Sequence, residues 1–184
     1  MKGIFNLVVC LWAINSCFSQ DKVGVAVNNQ FKINYYLLGI DASYELALNK
    51  SILWETGVGI GAGGSIRDRL FVGESFQIDF KSFPVLRLRS RLKYVYNRAK
   101  RFQKGKDITY NSGNYIAIQG TFSSKKENIA NDLLLTDVVW GIQRSLGGKW
   151  LFNVNTGLGY AKDFDTQLSR FYPTLGIAFS YMIF

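Results

Sequence analysis

The chain of 184 residues carries 22 Lys and Arg against 13 Asp and Glu, a net charge of +9, with two Cys and no His. That length suits one domain, and 48% hydrophobic with 15% aromatic residues is too apolar for a disordered chain. The missing histidine excludes catalysis built on a His base and any His-bearing metal centre. No catalytic, cofactor or metal-ligand pattern emerges elsewhere. Eighteen Gly, two Pro, 10 Tyr and 14 Phe favour β-structure.

Residues 1–19 read as a secretory signal peptide. Lys2 supplies the positive start, residues 4–14 the apolar run, and Cys17 and Ser19 the small side chains before a cut after Ser19. A second reading lipidates Cys17 in the run Ile14-Asn15-Ser16-Cys17, which Asn15 fits poorly. Cys10 and Cys17 both leave with the signal, so no disulfide is expected in the remainder. An exported basic protein meets anionic lipid and lipopolysaccharide rather than nucleic acid.

From residue 20 onward no segment approaches 18 uninterrupted apolar residues, so no transmembrane helix is expected. Period-two alternation runs almost throughout instead. Val23, Val25 and Val27 start it. Leu38, Ile40, Ala42, Tyr44, Leu46 and Leu48 follow, then Ile52, Trp54, Thr56, Val58, Ile60 and Ala62 against Gly57, Gly59, Gly61 and Gly63. Leu86, Leu88, Ser90, Leu92, Tyr94 and Tyr96 alternate with Arg87, Arg89, Arg91 and Lys93. The same phase extends back to Phe76, Ile78 and Phe80, with a bend expected at Pro84. Ile116, Ile118 and Phe122; Val138, Trp140 and Ile142; Trp150, Phe152, Val154, Leu158 and Tyr160; and Leu175, Ile177, Phe179, Tyr181 and Ile183 complete eight strands.

The face opposite the large apolar residues is rich in Gly, Ala, Ser and Asn. Eight strands enclose a narrow interior, which suits the small face, whereas a soluble lipocalin-like barrel would turn the apolar face inward. The pattern predicts an all-β, eight-stranded antiparallel transmembrane up-and-down β-barrel over residues 20–184. Short periplasmic turns are expected at 49–51 and 147–148, and outer loops near 29–36, 64–75, 124–133 and 162–171. Aromatic girdles are expected from Trp54, Tyr94, Tyr96, Trp150, Tyr181 and Phe184 at one end, and from Phe122, Tyr160 and Tyr172 at the other.

These features resemble the small outer-membrane β-barrel proteins of Gram-negative bacteria, with a signal peptide and Gln20 start similar to those of Bacteroidota. The last strand, with Gly176, Phe179, Tyr181 and terminal Phe184, is similar to the assembly signal of such barrels. It implies residence in the outer membrane and insertion by the barrel-assembly machinery. Phe184 departs from the phase of Phe179, Tyr181 and Ile183. Residues 104–115 also resemble a segment recurring in that group. The resemblance implies no known activity.

Arg87, Arg89, Arg91 and Lys93 form an inward basic ladder, faced by the inward acids Asp41, Glu45, Glu55 and Asp137. Unpaired charges in a narrow lumen are costly, so a closed polar core is expected, with Glu45 and Glu55 near Arg91 and Lys93, and Asp41 and Asp137 nearer Arg87 and Arg89. An anion-preferring channel is the alternative. The glycine row lacks the Lys-Ser/Thr of a phosphate loop and is expected to make room for arginines. Residues 97–112 form an unusually long periplasmic connection with Arg98, Lys100, Arg101, Lys104 and Lys106. A short helix ending at Gly105 is expected there, and either a solvated loop or a contact with a periplasmic protein. The expected role is structural or interactive, with no catalysis; a subunit of an envelope or secretion assembly is a further alternative, and a soluble lipocalin-like ligand-binding barrel another.

Overall fold

The computed structural model describes residues 27–67, 75–79, 83–126 and 129–184, without the side chains of residue 67 and residues 75–79. The expected signal peptide, the alternative at Cys17 and residues 23–26 of the expected first strand lie outside the described residues.

The described residues form ten strands in order: β1 Gln30–Tyr36, β2 Gly39–Ala47, β3 Ile52–Gly61, β4 Gly63–Arg67, β5 Ser75–Asp79, β6 Val85–Val95, β7 Gly113–Ser123, β8 Leu133–Gly147, β9 Trp150–Asp163 and β10 Ser169–Met182. Eight of them close into an antiparallel barrel in the ring order β1-β10-β9-β8-β7-β6-β3-β2. The remaining two, β4 and β5, pair only with each other among the described residues.

The alternation sorts the side chains inside-out. Val58, Leu88, Ile118, Val138, Leu158 and Leu175 are exposed on the wall, while Glu45, Glu55 and Lys93 are buried within. Inward glycines make this possible in so narrow a ring. A Cβ on Gly61 would sit 2.8 Å from Arg87 Cδ, and one on Gly159 would sit 2.4 Å from Tyr172 Cζ. Gly61 thus makes room for an arginine, as the glycine row suggested.

The start of the barrel differs from the sequence expectation. Residues 30–36 are a strand, not an outer loop, and turn tightly through Leu37 and Leu38 into β2. Gln30, Lys32 and Asn34 point inward and are buried, whereas Tyr35 is exposed. Polar residues read as loop are here the inward half of a strand.

Phe184 is also accounted for. Its carbonyl accepts from the Phe31 N–H (3.0 Å), the Ile183 N–H donates to Phe31 O (2.9 Å), and the Phe184 ring stacks on Phe31 at 5.8 Å. The out-of-phase aromatic therefore covers the seam between the first and last barrel strands. Trp150 joins it at that end, edge-on to Tyr181 (5.2 Å) and near Tyr35 (6.3 Å). Tyr160 and Phe171 pair at 5.1 Å toward the opposite end, whereas Tyr172, expected in that girdle, lies on the inward parity of β10 and its hydroxyl reaches Asp137 in the lumen.

The long period-two run before Tyr96 is two strands, separated near Pro84. The β4–β5 hairpin leaves the wall and bends across the barrel mouth opposite the termini. Ile66 is buried against Leu133 and Ala161, on strands across the ring from β3. Its N–H donates to Asp163 Oδ2 (3.1 Å), and Gly64 O accepts from the Asn131 N–H (3.1 Å). Of the expected loop at 64–75, residues 64–67 are instead part of β4, which forms this lid, and residues 68–74 lie outside the described residues.

The wall has one notch. β9 pairs with β10 along its length, but β1 pairs with β10 only from Ala178 to Met182. Residues 169–177 of β10 have no described strand on their other side. β5 passes near β10 without pairing with it.

Candidate functional site: an ionic cluster beneath a lidded chamber

The lower lumen, toward the termini, is filled by one ionic cluster. Lys32 Nζ lies 3.1 Å from Glu45 Oε2 and 2.7 Å from Glu55 Oε2. Lys93 pairs with both carboxylates, at 2.8 Å to Glu55. Arg89 bridges Glu55 (3.0 Å) to Asp41 (2.9 Å), and its guanidinium also lies over the Tyr36 ring at 5.0 Å. β1, β2, β3 and β6 are consecutive around the ring apart from their order in sequence, so period two alone brings these side chains together. Burial this deep is tolerable because each ion meets opposite charge and additional hydrogen bonds. Glu45 also accepts from Gln30 and from Asn111 Nδ2 (2.8 Å).

Asn111 comes from the long connection, which turns inward. The helix α1, Arg98–Gln103, ends where Gly105 adopts φ +62°, as its position suggested. Arg98 is 2% exposed and donates to Lys50 O (2.7 Å) and Asn111 O (3.2 Å). Tyr110 O accepts from Gln143 Nε2 at 2.8 Å. The segment is therefore a plug seated on the ionic cluster. Arg98 belongs to the plug's interior, whereas Lys100, Lys104 and Lys106 are exposed and Arg101 is half-buried, donating to Asp107 O. The Asp107 carboxyl, hydrogen-bonded by Thr109, is held below its ordinary value. Among Lys32, Asn34, Glu55, Arg91 and Gln143 lies a void of about 10 Å³. That is room for no more than a water.

The middle of the lumen is a polar chain. Arg91 Nε donates to Gln119 Oε1 (2.7 Å), Gln119 Nε2 to Asp137 Oδ2 (2.6 Å), and the Tyr172 hydroxyl to Asp137 Oδ1 (2.5 Å). Glu45 and Glu55 meet Lys93 and Asp41 meets Arg89, in line with the depths read from sequence, whereas Asp137, expected nearer Arg87 and Arg89, is linked through Gln119 to Arg91. Arg91 meets an amide instead of a carboxylate, because Gln119 stands between it and Asp137. Arg87 has no ion pair or hydrogen bond among the described residues, so the ladder is not fully paired as expected.

Above this chain lies a chamber of about 270 Å³, bounded by Arg87, Arg89, Gln119, Tyr172 and Thr174, with Gly63 and Gly64 of the lid. Leu37, Leu38, Leu175 and Ile177 also border it, beside the notch along β10. The sequence reading missed Lys32, Asn111 and the lid contact of Ile66 with Asp163. Alternation of Phe31, Ile33 and Tyr35 was the available signal for Lys32. Among the described residues no cluster of His, Cys, Asp and Glu could hold a metal ion. Neither a protein-family model, nor a curated protein, nor a solved structure matches the chain.

Proposed function

We propose that this is an integral outer-membrane β-barrel with a sealed lumen, serving a structural or interaction role in the cell envelope without catalysis. The observation that carries the reading is the Lys32–Glu45–Glu55–Lys93 cluster, which fills the lumen with fixed, paired charge. The exposed apolar wall and the aromatic groups near both ends support a lipid environment. A soluble ligand-binding barrel would place those large side chains inside. Outer-membrane lipid and lipopolysaccharide are then its surroundings, and the barrel-assembly machinery its route of insertion. The test is cell fractionation with gel migration before and after boiling. Outer-membrane protein with a heat-dependent mobility shift supports the proposal; soluble protein with no shift overturns it.

A second reading, a subunit of an envelope or secretion assembly, draws on the exposed Lys100, Lys104 and Lys106 beside the plug. That basic face is held out by a segment whose other side is tied down, so it is presented in a fixed place. Copurification from mild detergent, lost when the three lysines are replaced by Ser, would support it. The anion-channel alternative is disfavoured by the 10 Å³ void.

A further inference from the structure

The chamber and notch combine four features that the sealed-lumen reading does not use. The chamber is 270 Å³, about nine waters' share at roughly 30 Å³ each. Arg87 borders it with no carboxylate at ion-pair distance among the described residues, while Arg89, deeper, is already paired to Asp41 and Glu55. Its side beside the notch is bordered by Leu37, Leu38, Leu175 and Ile177, of which Leu37 is 89% and Leu175 72% exposed on the outer wall. The notch exists because β1 stops at Tyr36 while β10 continues outward to Ser169.

We infer that the chamber is a binding site for a single-chain amphiphile with one anionic head group, entering sideways from the membrane. The inference rests on the membrane reading above. The head group would lie in the chamber against the Arg87 guanidinium, whose fork suits a carboxylate. The volume accommodates the head and the first part of a chain, and the rest would lie along the leucine-lined notch among lipid tails. A neutral or cationic head would leave Arg87 unpaired in a confined space, which sets the charge preference. A free water-soluble anion would gain nothing from the apolar rim. The lid, held by Ile66 and Asp163, covers the chamber from above.

Both natural cysteines precede Gln20, so Thr174→Cys gives a single reporter at the chamber wall once the signal is removed. The protein, labelled there with bimane in zwitterionic phosphatidylcholine vesicles, is titrated with stearate spin-labelled near its carboxyl end. Saturable quenching is expected, reversed by unlabelled laurate and absent for the methyl ester. Arg87→Gln should raise the half-saturating concentration about tenfold or more, the loss of one charge-assisted hydrogen bond. Unsaturable quenching, equal quenching by the ester, or no change in Arg87→Gln overturns the site. So does efficient crosslinking of Leu175→Cys between two copies, which would mean that the edge serves a dimer. Vesicle flotation reads insertion separately: protein that floats and does not bind refutes the site alone, and protein that does not float refutes the membrane reading.

Discussion

Replacing Glu45 by Gln should disturb the lower lumen more than its small change in shape suggests. Glu45 is fully buried and accepts from four side chains: Gln30, Lys32, Lys93 and Asn111. The variant leaves Lys32 and Lys93 to share Glu55, while Gln introduces an N–H pair toward the two ammonium groups. Removing one member of a buried ion pair costs about 3–5 kcal/mol, because the remaining charge stays buried. The four lost contacts are not additive, so that range is the expected total. Urea unfolding in lipid vesicles, followed by Trp fluorescence, measures it. Lys32→Met in the same chain removes the surplus charge, and the double variant should recover about 1 kcal/mol or more relative to the sum of the single losses. A Glu45→Gln loss below about 1 kcal/mol, or strict additivity of the two changes, would refute the account of a charge-balanced seal.

Gly159→Ala should cost about 1–3 kcal/mol, because its Cβ would meet Asp137 Oδ1 at 2.2 Å and the Tyr172 ring at 2.4 Å. Gly120→Ala, with nothing within 4 Å, should stay within about 0.5 kcal/mol by the same unfolding assay. Arg98→Ala should loosen the plug at a cost of about 1–3 kcal/mol and expose residues 97–112 to trypsin, whereas Lys104→Ala should change neither measurement. The lid should be acid-sensitive. At the strand end, burial raises the Asp163 carboxyl, but N–H donors from Thr166 and Ile66 and the Asn131 amide outweigh it and hold the group below its ordinary 3.8. A lowered value means that the contribution to lid docking is full above the ordinary carboxylate range and is lost as pH falls through the lowered value. Asp163→Asn at neutral pH should therefore weaken protection of the Ile66 amide from hydrogen exchange about tenfold relative to wild type, and unchanged protection would contradict the lid contact.

The barrel itself was legible because its signal is local. In Arg87-Leu88-Arg89-Ser90-Arg91-Leu92-Lys93 each residue's face follows from parity alone, and the opposing acids follow from neighbouring strands of the same kind. β1 was missed for a local reason as well: Asn28, Asn29, Lys32 and Asn34 give the segment a loop-like composition, although Phe31, Ile33 and Tyr35 keep the period. Val23, Val25 and Val27 offered a more apolar run and displaced the start by several residues. The lid was not legible, because nothing near Ile66 specifies that its partners will be Leu133 and Ala161 across the ring. The plug was half legible. Gly105 marked the helix end, but the inward turn depends on Asn111 meeting Glu45 and Arg98 meeting Lys50 O, contacts between residues distant in sequence. Arg87 shows the limit of counting charges: equal numbers on the ladder and among the acids did not ensure that each ladder cation had a partner, since Lys32 shares the same carboxylates.

The sealed lumen is tested most directly by single-channel recording of heat-modifiable protein inserted in planar bilayers. With paired charge filling the lower lumen and a void there of about 10 Å³, the wild-type barrel should be silent under applied voltage in both directions. Steady, anion-preferring currents from the wild-type protein would contradict the sealed lumen.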